Sequence, residues 1–293
     1  MMAKDALLSE YTSMRVGGPA REVCEPADEA AFIDCIKGLR SKGAPYFVMG
    51  NGTNVVVRDG GYAGAVVLTV NALRGLEARG NGRLVCGAGE SLARVCRYAA
   101  EQGLSGIEGL SGIPGTVGGA VFMNAGAYGY EIKAVLVSAR AYNANNETII
   151  MLSNEECEFA YRTSVFRRKP MLILSAEFAL WPADKEEIEH KMSEFTRLRN
   201  EKQPLDLPSA GSFFKRPEND FAGRLIEAAG MKGARVGGAQ VSEKHAGFIV
   251  NTGGATARDI LGLAAQVKAN VFEKFDVELE AEPVIMGEDE AGK

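Results

Sequence analysis

Between Gly106 and Tyr130 eight of 25 residues are glycine, and after Glu108 no charged side chain occurs until Glu131. Ordering so much glycine costs chain entropy, so bare backbone here needs a reason. Backbone N–H groups unobstructed by side chains can converge on a phosphate without Lys or Arg, a pattern that suits a buried pyrophosphate. Ile107, Leu110, Ile113, Val117, Val121 and Phe122 make the stretch too apolar for a flexible linker. A collagen helix is excluded, because the glycine at every third position from Gly106 stops at Gly118 and the run holds a single proline.

Other residues have the right types for acid, base or charge-stabilising work. Arg162 opens a basic segment with Arg167, Arg168 and Lys169, yet it stands between Tyr161 and the apolar pair Val165–Phe166. It reads as part of a solvated loop or as an inward-facing guanidinium. Ser212 follows the small residues Ala210 and Gly211 and precedes Phe213 and Phe214; from these residues alone it is a strand-edge serine. Glu278, Glu280 and Glu282 share one side of a strand opposite Val277, Leu279 and Ala281, by default a solvated acidic edge. Gly50-Asn51-Gly52-Thr53-Asn54 joins two strands and is either a hairpin turn or, through Thr53 and Asn54, a source of donors for an anion. It opens no helix, so it is no dinucleotide fingerprint. Gly87-Ala88-Gly89 lacks the third glycine and reads as structural, and no P-loop motif occurs.

Several elements must position these groups. Pro26–Glu29 starts a helix with Phe32, Ile36 and Leu39 at helical spacing and Gly43 near its stop. Strands are expected at Tyr46–Met49, Val55–Arg58, Ala65–Val70, from Leu84, at Val135–Tyr142, Glu147–Leu152 and Met171–Leu180, and finally at Val277–Val284. Ser91 is a candidate cap for a helix carrying Leu92, Val95 and Ala99, which Gly103 ends. Lys185–Glu201 is a charged helix with Ile188, Met192, Phe195 and Leu198 on one face, and prolines at 204 and 208 then mark a boundary near residue 200. Phe221–Ala229 is a helix closed by Gly230. Gly237–His245 is expected as a loop before the strand Gly247–Asn251, and Thr256 caps a long helix with Ile260, Leu263, Val267 and Val271 inside.

Composition sets bounds. At 293 residues more than one lobe is expected. Lys and Arg total 33 against 38 acidic residues, so the net charge of -5 gives no reason to expect nucleic acid or an anionic membrane as partner. The N-terminal residues lack the apolar core of a signal peptide, and no apolar run reaches the roughly 18 residues of a membrane span, so a cytosolic location is expected. Cys24, Cys35, Cys86, Cys96 and Cys157 contain no Cys-x-x-Cys pair, which argues against a disulfide framework or a metal site and for small core residues.

Taken together and in order, Thr12-Ser-Met-Arg-Val-Gly-Gly-Pro-Ala20, Gly50-x-Gly-Thr-Asn54, Gly109-Leu-Ser-Gly-Ile-Pro-Gly-Thr-Val-Gly-Gly-Ala120, Tyr161-Arg-x-Ser-x-Phe-Arg167, Ala210-Gly-Ser-x-Phe-Lys215 and the closing Leu279-Glu-x-Glu282 resemble the UDP-N-acetylenolpyruvoylglucosamine reductase family. The resemblance spans nearly the whole chain. It implies an α+β fold of vanillyl-alcohol-oxidase type (PCMH-like). Two FAD-binding subdomains, 1–68 and 69–199, would be followed by an α+β substrate-binding domain, 200–293. It further implies non-covalent FAD, NADPH as hydride donor, a sugar nucleotide as the small-molecule partner, and reduction of an enolpyruvyl ether in peptidoglycan precursor synthesis.

By the same resemblance Arg162, Ser212 and Glu282 match the catalytic positions. Gly50, Asn51, Gly52, Thr53, Asn54, Ser111, Gly112, Ile113, Pro114, Thr116, Gly118, Gly119, Ala125 and Gly126 would hold the cofactor, and Lys215, Arg216 and Gln240 the substrate. Arg162 is suited to the charge that builds on the enolate, Ser212 to delivering a proton to carbon, and Glu282 must then carry or share a proton, since a bare carboxylate would repel that charge. Two positions depart from the family pattern: Tyr11, where Asn is common, and Arg216, where many members have Asn. The short segment between Arg162 and Ser212 resembles the shorter, second type. A flavin oxidase using oxygen is the rival on the same fold, but many bind flavin through histidine, and His190 and His245 both lie outside the glycine-rich lobe.

Overall fold

In the computed structural model, which describes residues 2–290, the chain divides into two units that interleave along the sequence. Unit one takes Val23–Asn51 and Ala65–Arg199 with Met2 and Ala3; unit two takes Lys4–Glu22, Gly52–Gly64 and the chain from Asn200 onward.

Unit one is built on a five-stranded antiparallel sheet in the order Thr148–Ser153, Leu136–Asn143, Met171–Ala179, Arg83–Gly87, Leu76–Arg79. The helix Glu29–Ser41 starts at Asp28, whose side chain accepts from Ala31 N, and it buries Phe32, Ile36 and Leu39. Arg140 of the Leu136–Asn143 strand grips Glu29 with two bonds of 2.7 Å, fixing the helix to the sheet. The helix Leu92–Glu101 presents Leu92, Val95 and Ala99 to the same core, which Leu84 and Phe178 fill from the sheet side. Ser91 holds its cap position, but its side chain accepts no helix amide. Leu92 N donates instead to Gly115 O, so the glycine-rich stretch satisfies this helix start. Cys86, Cys96 and Cys157 are buried in this core, and burial pushes all three thiols up, Cys157 to about 11.

Unit two has a four-stranded antiparallel sheet in the order Ser209–Ser212, Phe248–Asn251, Ala239–Val241, Arg235–Val236. The helix Ala257–Phe275 packs on it, and the helix Ala222–Ala228 packs against that helix. Thr256 accepts from Asp259 N while Asp259 accepts from Thr256 N, a reciprocal capping box. Asp59 adds a second carboxylate at this helix start, accepting from Ala257 N at 2.7 Å and Arg258 N at 2.8 Å. Ile260, Leu263, Val267 and Val271 pack with Phe213 and Ile226 in the core.

Three expectations need correction. Gly237–His245 is not all loop: Ala239 and Val241 are fully buried, and the three residues from Ala239 to Val241 form an interior strand of the sheet. Val277–Val284 is not a regular strand. It is extended, with Leu279 buried and Glu278 and Glu280 exposed, but its one bridge is Phe214 to Ala281, and the ladder begins only at Val284–Met286. Gly50–Asn54 is no hairpin turn, because Tyr46–Met49 pairs in parallel with the strand containing Ala65–Leu68 while Val55–Val57 pairs in parallel with Val284–Met286.

Candidate active site

The glycine-rich stretch is ordered by its own buried groups. Glu108 is 1 % exposed, and its carboxylate accepts from Ser105 Oγ at 2.5 Å and Gly106 N at 2.8 Å, folding the start of the stretch into a tight turn. Further on, Thr116 Oγ1 accepts from Gly119 N at 3.3 Å and caps the short helix Val117–Met123. Gly118 donates to Ala88 O at 2.8 Å. Gly50 lies so close to this cap that a Cβ would stand 2.4 Å from Thr116 Oγ1, which explains why the residue is bare.

These residues fit a phosphate-bearing cofactor. Ser111 Oγ is buried with no hydrogen-bond partner. A buried polar group left this way is rare in folded proteins and calls for a partner. Among the described residues the N–H groups of the half-buried Gly112 and Gly115 and of the exposed Asn51 donate to no protein acceptor and stay open to a ligand. Ile113 is half-buried beside the exposed Pro114, while Ala125 is buried, its N–H donating to Ala120 O at 2.8 Å. In unit two Gly52, with φ +61, presses against Tyr11 O, and the Asn54 side chain donates to Glu282 O at 3.4 Å.

Arg162 belongs to unit one and faces inward. Its Nη2 donates to Gly126 O at 3.0 Å, and its guanidinium carbon lies 5.0 Å from the centre of the Tyr161 ring. The residue has φ +54, a left-handed conformation that a long side chain adopts only when its surroundings impose it. Two groups impose it. Asn124 Nδ2 donates to Ala160 O at 3.1 Å, and Ser164 Oγ donates to Phe122 O at 2.6 Å, clamping the turn onto the end of the Val117–Met123 helix. Neither clamp stands out in the sequence. The one available signal for Asn124 is its place just after the helix, where Asn tolerates the left-handed cap seen at φ 48.

The segments that carry Ser212 and Glu282 meet within unit two. Ser212 is exposed at the end of an edge strand, just after Gly211 at φ +76. The pairing slips between Ser209 and Ser212, so two residues oppose one and the serine is re-aimed, as bulges do. Next along the chain Phe213 O accepts from Glu282 N at 2.9 Å, and Lys215 N donates to Glu280 O at 2.8 Å. The serine segment thus lies antiparallel against the glutamate segment. Glu282 is half-buried where Glu278 and Glu280 are exposed, which separates it from a solvated edge.

Lys215 pairs with Glu280, and Arg216 stacks on the exposed Phe221 with its guanidinium carbon 3.9 Å from the ring centre. Gln240 lies apart from them on an interior strand, in register with Val250, which also pairs with Ser209. It is 7 % exposed, accepts from Arg235 Nη2 at 3.0 Å and donates to Glu243 Oε1 at 3.3 Å.

Comparison with known proteins places this architecture. Residues 20–152 match the model of an FAD-binding domain, and residues 203–286 match that of the UDP-N-acetylenolpyruvoylglucosamine reductase C-terminal domain. The fold is the vanillyl-alcohol-oxidase-type FAD fold joined to an α+β C-terminal domain, and it defines a flavoprotein with FAD as cofactor. UDP-N-acetylenolpyruvoylglucosamine reductase of Caldanaerobacter subterraneus subsp. tengcongensis is 46 % identical over 96 % of this chain and 92 % of its own. That of Clostridium novyi is 47 % identical over 97 % of this chain and 91 % of its own. The crystal structure of the reductase from Thermus caldophilus superimposes with a TM-score of 0.81 at 36 % identity, covering 98 % of this chain and all of that one. The chain belongs to the UDP-N-acetylenolpyruvoylglucosamine reductase family, whose members are flavin-dependent oxidoreductases.

Proposed function

We propose that this protein reduces UDP-N-acetylglucosamine enolpyruvate to UDP-N-acetylmuramate with NADPH as hydride donor, in the cytoplasm, as a step of peptidoglycan precursor synthesis. Non-covalently bound FAD would supply the hydride transfer between NADPH and the enolpyruvyl group. Subdomains 1–68 and 69–199 would hold the cofactor through Gly50–Asn54, Ser111–Pro114, Thr116, Gly118, Gly119, Ala125 and Gly126. Residues 200–293 would hold the sugar nucleotide through Lys215, Arg216 and Gln240. No nucleic acid or membrane takes part, and no helix among the described residues is long and apolar enough to cross a membrane.

The observation that carries this reading is the backbone pairing of the Ser212 segment with Glu282, which sets a hydroxyl donor and a half-buried carboxyl on neighbouring segments. Arg162 would hold the charge that develops on the substrate carboxylate, its guanidinium oriented by Gly126 O before substrate arrives. Such preorganisation is what makes a charged donor effective in a transition state, because nothing has to reorient. Ser212 would give its proton to the carbanionic carbon, and Glu282 would hold a proton at its carboxyl so that it attracts the enolate. Arg216 in place of the common Asn would add charge to the hold on the diphosphate.

The reading is tested by mixing the purified protein with NADPH and the enolpyruvyl substrate, separately and together. NADPH consumption to completion should require both, and acid precipitation should leave the flavin in the supernatant. Sustained NADPH oxidation by oxygen alone, with no effect of the sugar nucleotide, would sink the assignment.

A further inference from the structure

The helix Lys185–Lys202 is strongly charged, yet one of its cations lies on the apolar side. Arg199 follows Phe195 by one helical turn and Met192 by two, on the stripe that begins at Ile188. Its Nε is buried and meets no acceptor among the described residues, and no carboxylate there is paired with it. Burial pulls its pKa below the ordinary arginine value and the neighbouring Tyr128 hydroxyl works the other way, but arginine stays charged in a protein. Arg199 is half-buried, and a guanidinium whose Nε is buried without an acceptor or counter-charge is unfavourable unless a ligand supplies one.

The neighbours point to the ligand. A Cβ on Gly112 would stand 3.0 Å from Arg199 Cδ and 3.1 Å from Nη1, so the glycine makes room for the arginine. Beside it Ser111 Oγ is the other buried polar atom of this region without a partner. Tyr128 adopts φ +53, and its ring stacks on Phe195 at 4.9 Å and 17°. Tyr130 meets the same ring edge-on at 5.8 Å. A tyrosine in a left-handed conformation, stacked on the ring one helical turn before Arg199, carries backbone strain of the kind that clusters at ligand sites. Gly112 and Tyr128 lie within the residues matched by the FAD-binding model, whereas Arg199 comes from outside them.

We propose that Arg199 and Ser111 form a buried site for negative charge carried by FAD, and that Tyr128 is the positioning residue that aims the guanidinium. Two parts of the cofactor carry such charge: the pyrophosphate always, and the pyrimidine edge of the ring system once reduced. Guanidinium and hydroxyl donors suit either.

The test uses FAD alone, without NADPH or sugar nucleotide, so it stands or fails separately from the proposed reaction. FAD affinity and midpoint potential are measured for the parent protein, Arg199→Gln, Ser111→Ala and Tyr128→Phe. If the site takes the pyrophosphate, Arg199→Gln weakens FAD binding about 10- to 100-fold, the scale of a hydrogen bond to a charged group, and leaves the potential unchanged. If it takes the reduced ring, the variant loses about 10- to 100-fold in affinity for reduced relative to oxidised FAD, a fall of about 30–60 mV for a two-electron couple. Either result supports the site, and Tyr128→Phe should move the same readout in the same direction by less. A folded Arg199→Gln protein with both quantities unchanged overturns the proposal. Should that variant fail to fold, unchanged affinity and potential in both Ser111→Ala and Tyr128→Phe overturn it as well, since each removes a single hydroxyl.

Discussion

The glycine-rich stretch of unit one and the serine segment of unit two solve opposite problems. In Gly106–Tyr130 side chains are removed so that backbone can approach other groups, and the stretch is fixed by Glu108 and Thr116, which accept from Gly106 N and Gly119 N, and by Asn124, whose side chain donates to Ala160 O. In Ser209–Lys215 the backbone is spent on pairing with Phe248–Asn251 and with Glu280–Glu282, and the side chains carry the chemistry. The lesson is that glycine serves two ends here. Gly50 is bare because Thr116 fills the place of a Cβ, whereas Gly211 has open space around its missing Cβ but a backbone at φ +76.

Mutations can sharpen or break this contrast. The largest effect is expected for Arg162→Lys, which removes a fixed fork from a developing charge. Turnover should fall on the order of 10- to 1000-fold, with a much smaller change in KM, and unchanged kinetics would return Arg162 to a solvated loop. Ser212→Ala should slow reoxidation of the flavin by the enolpyruvyl substrate about 100-fold while leaving its reduction by NADPH intact. Stopped-flow absorbance separates the two steps; equal slowing of both would mean that the serine supports structure.

Smaller effects test the two kinds of glycine. Gly50→Ala should cost about 1–3 kcal/mol by overpacking, and combining it with Thr116→Ala, which removes the Oγ1 that the new Cβ would strike, should cost less than the two single losses added. Gly211→Ala should cost about 1–2 kcal/mol through left-handed strain alone. Because no neighbour is close, no second-site truncation should rescue it, so denaturant melts of the double variants distinguish the cases. Thr256→Ala, which breaks the capping box of the Ala257–Phe275 helix, should cost about 1 kcal/mol and leave both half-reactions untouched.

Much of the framework was legible because local and tertiary preferences agree. Asp28 with Phe32, Ile36 and Leu39, and Thr256 with Ile260, Leu263 and Val267, each carry a cap and a stripe that the fold uses as written. What escaped was decided by partners far along the chain. Ala239–Val241 is three residues between a glycine pair and a loop, too short for any period, and it is a strand because the Phe248–Asn251 strand lies beside it. Val277–Glu282 has the alternation of a strand, but regular pairing starts only at Val284. At the candidate site, motif residues were visible and their supports were not. Asn124 and Ser164 act through backbone atoms of other elements, which sequence spacing does not reveal. Arg199 left a trace, a cation one turn after Phe195 on an apolar stripe, hidden by the many charges of its helix.

The parallel pairing of Val55–Val57 with Val284–Met286 has a consequence for how the protein is made. The first of these strands leaves the ribosome long before the second is translated. At about 5–20 residues per second the interval is roughly 10–50 s. Throughout it three valines that end up buried have no partner strand, and the backbone of unit two cannot close. Synthesis therefore runs from a unit-one sheet that can pair as it emerges to a second unit that must wait for its last strand. Until then Val55–Val57 is an apolar segment without its partner strand, open to chaperone capture or wrong pairing.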